Sequence, residues 1–442
     1  MKKVAIIGAG WAGAAAAWQL HKNGHQAIVF EASHTIGGRA RKHHSTTLKQ
    51  VADNGQHLLL GAYSATLQLM QELGINTAEA FYRFDLDIHS ADGSFRFKTA
   101  PLPAPLHLLG PLVHAKGITL SERLKLLNLH FYLVKNRWKV PTWMTVSELL
   151  VRTKQPDLLI EKLWAPLCIA ALNTPIEIAC AQLFANVLRD SLGAKRQDTQ
   201  MLIPLCNMTD LWAQSALQHA DVRLGHAVTS LTLALNTTAN SAEKYLINNN
   251  NTEQFDAVII ASNAPPAARL LQPLVQAQNT AQQELLSALQ SIHFNPIATV
   301  YLQPETAWQN PHPMLMLDED KNSLAAGQWV FNHAAIPKSE LGNVISITIS
   351  DAAWLQNHKK NTVMDAVILQ VQYQSQTPLP PIIAKEMITE KRATFMARPG
   401  MRRPTTNTPW GGIKLAGDWV ENEYPAVLEG AVRSGINAAN EL

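Results

Sequence analysis

Apolar residues follow two rhythms along this chain. Short apolar runs occupy residues 4–7 (VAII) and 27–30, while 413–416 (IKLA) is broken by a single Lys and 255–261 (FDAVIIA) by a single Asp. Runs of this kind fit strands buried on both faces of a parallel sheet. Residues 11–23 are Ala-rich and helix-prone, and Gly24 stands where a helix is expected to stop. The opening therefore predicts strand, helix, strand: one βαβ unit. Between 81 and about 195 the texture changes. Pro101, Pro103, Pro105 and Pro111 punctuate a Leu-rich stretch, and helical spacing follows over 121–138 and 156–192. This predicts a mostly helical insertion. Strands are expected at 222–235 and 244–247, with a polar turn at 248–251 between the latter and the 255–261 run. Further strands are expected at 291–302, 328–331, 343–350 and 388–396, with a helix over 362–372 and a last helix from 425.

Composition narrows the class. The chain has 442 residues, enough for about two to three domain-sized units. Hydrophobic residues make up 47% and charged residues 16%, against ~25% charged in an average soluble chain. That excludes a disordered chain and points to large buried or apolar-facing surfaces. A net charge of +3 is too mild for a nucleic-acid binder. Cys168, Cys180 and Cys206 form no CxxC pair, so no disulfide framework and no metal site follows, and a reducing cytoplasm is the simple reading. Lys2 and Lys3 before the uncharged run 4–20 imitate an export signal. Gly8, Gly10 and Gly13 inside that run argue for a different use.

Gly8-x-Gly10-x-x-Gly13 follows a predicted strand and opens a predicted helix. Glycines at these positions give a tight turn, let backbone approach a pyrophosphate and let helix pack on strand. The helix N-terminus offers free N–H groups to phosphate. Glu31 ends the second strand, where a carboxylate accepts both ribose hydroxyls and repels a 2′-phosphate, which disfavours NADP.

The choice between FAD and NAD rests on resemblance. Gly37-Gly38-Arg39 resembles the second glycine element of the flavin-containing amine oxidase superfamily, where the Arg reaches the FAD phosphates. Asp53-x-Gly55-Gln56-His57 resembles its segment beside the flavin ring. Ala416-Gly417-Asp418 resembles its late FAD motif, and residues 425–435 (PAVLEGAVRSG) its final helix, whose N-terminal amides face the flavin. The resemblance implies an α/β fold, with a Rossmann-type FAD-binding domain made of 1–80, 196–262 and 400–442. Residues 81–195, mostly helical, and the sheet of 263–399 would form an inserted substrate domain, as in amine oxidases and phytoene desaturases. It implies FAD contacts from Gly8, Gly10, Trp11, Ala12, Gly13, Glu31, Ala32, Gly38, Arg39, Asn54, Gly55, Gln56 and His57 in the first segment. Val228, Ala261, Gly417, Asp418, Ala426 and Val427 would complete the set.

Within the superfamily, several segments resemble the squalene-associated FAD-dependent desaturase group, the hydroxysqualene dehydroxylases. They are Trp11-Ala12-Gly13, Gly37-Gly38-Arg39-Ala40-Arg41, Asp53 to His57 with Leu60-Gly61-Ala62-Tyr63, Ala170-Ala171-Leu172-Asn173-Thr174-Pro175, Leu188-Arg189-Asp190-Ser191-Leu192, Gly417-Asp418-Trp419 and Glu429 to Gly435. That resemblance implies reductive loss of a hydroxyl from hydroxysqualene to give squalene, a hopanoid precursor. The partners implied are a long isoprenoid substrate and an unidentified electron donor to FAD. The Leu-rich insertion would wall the site, where burial contributes ~0.8 kcal/mol per CH₂. No motif assigns the acid that protonates the leaving hydroxyl. His57 and Tyr424 are the catalytic candidates, each with a plain structural alternative. Arg189 and Asp190 read better as an ion pair. A carotenoid-type desaturase or isomerase, an amine oxidase, and a flavin-binding lipid carrier stay open as alternatives.

Residues 98–139 carry seven Lys/Arg against Glu122, with Phe131, Tyr132, Trp138 and many Leu interleaved. Such a stretch fits peripheral contact with the inner face of the cytoplasmic membrane. A solvated basic face on an otherwise cytoplasmic protein is the equal alternative.

Overall fold

The computed structural model describes residues 1–100, 102, 110, 115–191, 195–234 and 243–442. Pro101, Pro103, Pro105 and Pro111 of the proline-punctuated stretch, Leu192 and Leu235 lie outside the described residues.

The apolar runs assemble into a five-stranded parallel sheet in the order Asp221–Leu224, Gln26–Glu31, Lys3–Ile7, Ala257–Ile260, Ile413–Leu415. Alternate side chains serve its two faces. Val4, Ile6, Val29 and Ile259 pack on helices Trp11–Lys22 and Leu428–Asn440. Ala5, Ile7, Ile28, Phe30 and Ile260 face the core that holds the small antiparallel sheet Leu231–Leu233, Tyr245–Ile247, Gln254–Phe255. Covering both faces explains why these strands carry no polar rhythm. The two helices touch through Gly435, where an added Cβ would lie 2.1 Å from the Ala12 carbonyl oxygen. In register, Ile7 stands between Phe30 and Ile260. The carboxyl edge of the sheet thus gathers the turns that begin at Gly8, Glu31, Ala261 and Ala416.

A second, antiparallel sheet runs Met314–Met316, Trp329–Asn332, Ile345–Ile349, Phe294–Pro304, Ile382–Phe395. Helix Lys360–Gln374 covers one face through Val363, Val367 and Val371 against Val300, Leu302 and Ile347. The other face presents Thr299, Tyr301 and Ser346 to the segment 53–57.

Three local expectations change. The 222–235 run splits after Leu224, because Gly225 turns with φ +69° and the chain crosses to the small antiparallel sheet. The 156–192 run breaks at Asn173, a left-handed helix cap, leaving Ala165–Leu172 and Ala181–Ser191 as separate helices. Asn173 is also a joint. Its Nδ2 donates to the Asn295 carbonyl and Thr394 Oγ1, and its Oδ1 accepts from the Asp351 N–H, so the insertion is tied to the second sheet. The segment from 81 opens with strands Phe81–Phe84, Asp87–His89 and Arg96–Lys98 rather than helix.

Candidate active site

The first turn is shaped by backbone contact. Gly8 has φ +111°, and a Cβ there would sit 2.9 Å from the Ala261 carbonyl oxygen. Gly38 has φ +63°, and its Cβ would come 2.9 Å from the Gly10 Cα. Two glycine turns therefore touch without side chains between them, and the Gly37 N–H donates to the Ala9 carbonyl at 2.8 Å. Helix Trp11–Lys22 starts at Gly10 with no side-chain cap. Among the described residues, no protein acceptor meets the N–H groups of Trp11, Ala12 or Gly13. An uncapped N-terminus in a glycine cradle is an anion site. Glu31 accepts from the Ala9 N–H at 2.8 Å and the Ser33 N–H at 2.8 Å, so both carboxylate oxygens are aimed and each keeps a lone pair. Ala32 follows in the same turn, half-buried neighbours flanking it. Val228 lies in the loop after Gly225, which is laced to this turn by Gly225 N–H to Ser33 carbonyl and His226 N–H to Glu31 carbonyl.

From the far end of the chain, Gly417 donates its N–H to Ser434 Oγ, and a Cβ at Gly417 would lie 2.5 Å from the Trp419 indole nitrogen. Asp418, buried, accepts from Arg39 Nη2 at 2.5 Å, and Arg39 Nη1 donates to the Ala393 carbonyl at 2.7 Å. Burial works against the Arg39 charge, but the Asp418 charge and hydrogen bond outweigh it and hold the guanidinium above its ordinary pKa. A second cation was not anticipated. Arg403 donates to the carbonyls of Asp418, Tyr424 and Asn422 and stacks 5.1 Å from the Phe395 ring. Burial lowers its pKa to about 10, so it stays charged at neutral pH. Arg39 and Arg403 both approach Asp418, and a guanidinium is the kind of cation that binds pyrophosphate. Arg403 sits in an Arg-Pro pair with no spacing rule to mark it.

Helix Leu428–Asn440 also begins uncapped, at Val427, with Ala426 half-buried beside it. Glu429 in its first turn is fully buried and serves another helix. It accepts from the Ala65 and Thr66 N–H groups, from Thr66 Oγ1 and from Arg433 Nε. This carboxylate caps helix Ser64–Glu72 and fixes the last helix against it. Tyr424 lies just before, its ring 5.3 Å from the Arg433 guanidinium. Burial raises its phenol above the ordinary value, so it is a neutral O–H at physiological pH. Arg189 pairs with Asp190 at 2.6 Å and with Glu423 at 2.9 Å, an ion-pair cluster behind Tyr424.

The segment 53–57 runs between the two sheets. Asn54 and Arg41 exchange hydrogen bonds, and a Cβ on Gly55 would meet Thr299 Oγ1 at 3.5 Å. Gln56 turns its amide oxygen to His333 Nε2 at 3.0 Å and Ser346 Oγ at 2.7 Å. Its amide oxygen is thereby committed to the second sheet, its amide nitrogen donates to the His57 carbonyl and its backbone N–H to Thr299 Oγ1. His57 is different. Its Nε2 is buried with no hydrogen-bond partner among the described residues, and burial lowers its pKa to about 4. It is a neutral imidazole at neutral pH. Asp53, facing the same small cavity as His57, His333 and Cys206, is raised to about 7 chiefly by burial.

An uncapped helix in a double-glycine cradle, a carboxylate at the end of the second strand and an Arg–Asp pair joining the two ends of the chain fit an FAD-dependent oxidoreductase. The chain belongs to the flavin containing amine oxidoreductase family, whose model matches residues 11–442. Its cofactor is FAD. A hydroxysqualene dehydroxylase of Rhodopseudomonas palustris is 29% identical over 455 residues, covering 99% of this chain and 98% of that protein. A chloroplastic/chromoplastic 15-cis-phytoene desaturase of Solanum lycopersicum is 22% identical, covering 100% of this chain and 77% of that protein. Among solved structures, an oxidoreductase of Methanosarcina mazei superposes with a TM-score of 0.73 at 14% identity, covering 100% of both chains.

Proposed function

We propose that this flavoenzyme removes the hydroxyl of hydroxysqualene reductively, giving squalene for hopanoid synthesis. The observation that carries the reading is the near full-length likeness to a hydroxysqualene dehydroxylase. The further likeness to a phytoene desaturase supports the broader substrate class, a long isoprenoid. The isoprenoid would lie along the apolar helical insertion, with residues 1–80, 196–262 and 400–442 holding the cofactor. In the reaction the allylic C–O bond breaks, a C–H bond forms, and the hydroxyl leaves as water after taking a proton. Bound FAD supplies the hydride chemistry and is reloaded by a reductant outside this chain.

The chain's own residues would divide the remaining work. The N–H groups of Trp11, Ala12 and Gly13, with Arg39, would hold the pyrophosphate. Glu31 and Ala32, beside Val228, would hold the adenosine ribose. Gly8, Gly10, Gly38 and Ala261 leave room for backbone approach. Asp418 would orient the ribityl chain, and Gly417, Ala426 and Val427 would set the last helix N-terminus toward the ring, where its dipole favours negative charge. Asn54, Gly55 and Gln56 would line the ring with backbone. Tyr424, a neutral O–H at physiological pH, is the group for the proton, and His57, a neutral imidazole, would contribute a hydrogen bond at the leaving oxygen. A substrate panel tests the reading: purified enzyme given hydroxysqualene with a reductant and, separately, phytoene or putrescine with an electron acceptor. Squalene from the first alone is the expected result. Turnover of putrescine or phytoene with hydroxysqualene untouched would replace it with an amine oxidase or a desaturase.

A further inference from the structure

Helix Leu120–Lys135 is apolar on two opposite sides. One side, with Leu129 and Leu133, is buried in the core. The other carries Leu120, Leu124, Leu127, Phe131 and Val134, spaced four, three, four and three residues apart, which is a single helical stripe. Leu120 is 68% exposed, Leu124 55%, Phe131 62% and Val134 48%. In the next turn and helix, Trp143 and Val151 are also exposed. Large apolar side chains grouped in this way mark an interaction surface.

The charge around the stripe says what covers it. Residues 115–154 hold eight Lys/Arg and two acids. Both acids, Glu122 and Glu148, are spent capping helices at Thr119 and Thr145. Of these basic residues, Lys116 and Arg123 are engaged with protein partners. Lys135, Arg137 and Lys139 are exposed and meet no carboxylate among the described residues, and neither do Arg152 and Lys154 beside Val151. The turn that carries Arg137 and Lys139 is braced from inside. Gln182 donates to the Trp138 carbonyl and accepts from the Val140 N–H, both at 2.9 Å.

We infer that this stripe is a membrane-docking face: Leu124 and Phe131 enter the acyl boundary of an anionic bilayer while Lys135, Arg137 and Lys139 meet its phosphates. The helix lies in the interface plane; no helix among the described residues is long and apolar enough to cross a membrane. A second copy of the chain fits less well, since two such faces would oppose cation to cation. The inference stands on the surface alone, whatever the substrate.

Flotation of the FAD-loaded protein with vesicles tests it, using phosphatidylcholine alone or mixed equally with phosphatidylglycerol. The wild type should bind the mixed vesicles, with binding weakened by salt. L124S/F131S should weaken binding at least about tenfold, and K135E/R137E/K139E should abolish the preference for phosphatidylglycerol. Flavin content and melting temperature should match the wild type, since these residues are exposed. Binding that ignores both variants overturns the inference. So does a wild type that floats with neither vesicle, or one that is a dimer made monomeric by L124S/F131S.

Discussion

Arg39 and Asp418 are 379 residues apart in the chain and 2.5 Å apart in the fold. The contact closes a ring of segments, since Arg39 follows the second glycine turn and Asp418 precedes the last helix. Asp418 is buried and Arg39 partly exposed, so removing one partner costs less than the ~3–5 kcal/mol of a fully buried pair. Arg39→Ala should therefore lose most bound flavin and several degrees of melting temperature, and Asp418→Ala should do the same. The double variant should lose clearly less stability than the two single losses combined. Strict additivity in thermal unfolding would mean that the pair does not act as a unit.

Gly38→Ala tests the cradle. The new Cβ would press on the Gly10 Cα from a left-handed backbone, a strain of about 1–2 kcal/mol before any clash. The flavin-to-protein ratio after purification should fall sharply while far-ultraviolet dichroism stays near that of the wild type. Full flavin occupancy would show that the two glycine turns need not touch.

Gly435→Val separates packing from cofactor contact. Gly435 faces the Ala12 carbonyl from another helix, so a side chain there forces the helices apart. We expect a fall of at least about 2 kcal/mol in unfolding free energy, from overpacking, with flavin lost as a consequence. Denaturant titration reads this directly, and an unchanged midpoint would contradict the packing described.

These positions also show how far the sequence alone carries. The close backbone approach at Gly8 and Gly13 was legible because a tight turn between strand and helix demands glycine at that spacing. The strands 4–7 and 257–260 were legible because both faces are buried. The break at Asn173 was not, since its cause is a set of hydrogen bonds to Asn295, Thr394 and Asp351 more than a hundred residues away. Arg403 and the capping role of Glu429 were hidden for the same reason: their partners are set by tertiary contact. Gln56 looked like a flavin contact by its motif, yet its side chain is held by His333 and Ser346.

The buried ionisable groups between the sheets set two opposite pH trends. His333 has its pKa lowered by burial from 6.5 to about 4. Its contribution is present above pH 6.5 and is lost as pH falls toward 4, by about 3 kcal/mol. His333→Asn should flatten the loss of stability between pH 6.5 and 4, measured by urea unfolding. Asp53 is raised from 3.8 to about 7, so it costs stability as pH climbs through that range. Asp53→Asn, which keeps an oxygen for the Met208 N–H, should gain on the wild type at pH 8 and not at pH 4. The reverse order at the two pH values would contradict the burial argument.

Tyr424→Phe and His57→Asn separate the proton donor from the hydrogen-bond donor. Whichever group protonates the leaving hydroxyl should lower turnover about 10²-fold or more when replaced, with flavin content retained. If both variants keep wild-type turnover, the proton comes from elsewhere.

The most direct measurement is a single turnover. Enzyme whose FAD has been chemically reduced is mixed without oxygen with less than one equivalent of hydroxysqualene. The account predicts one squalene formed for each flavin whose yellow absorbance returns. Intact hydroxysqualene beside flavin that stays bleached would contradict it, most plainly if the oxidised enzyme then desaturated phytoene.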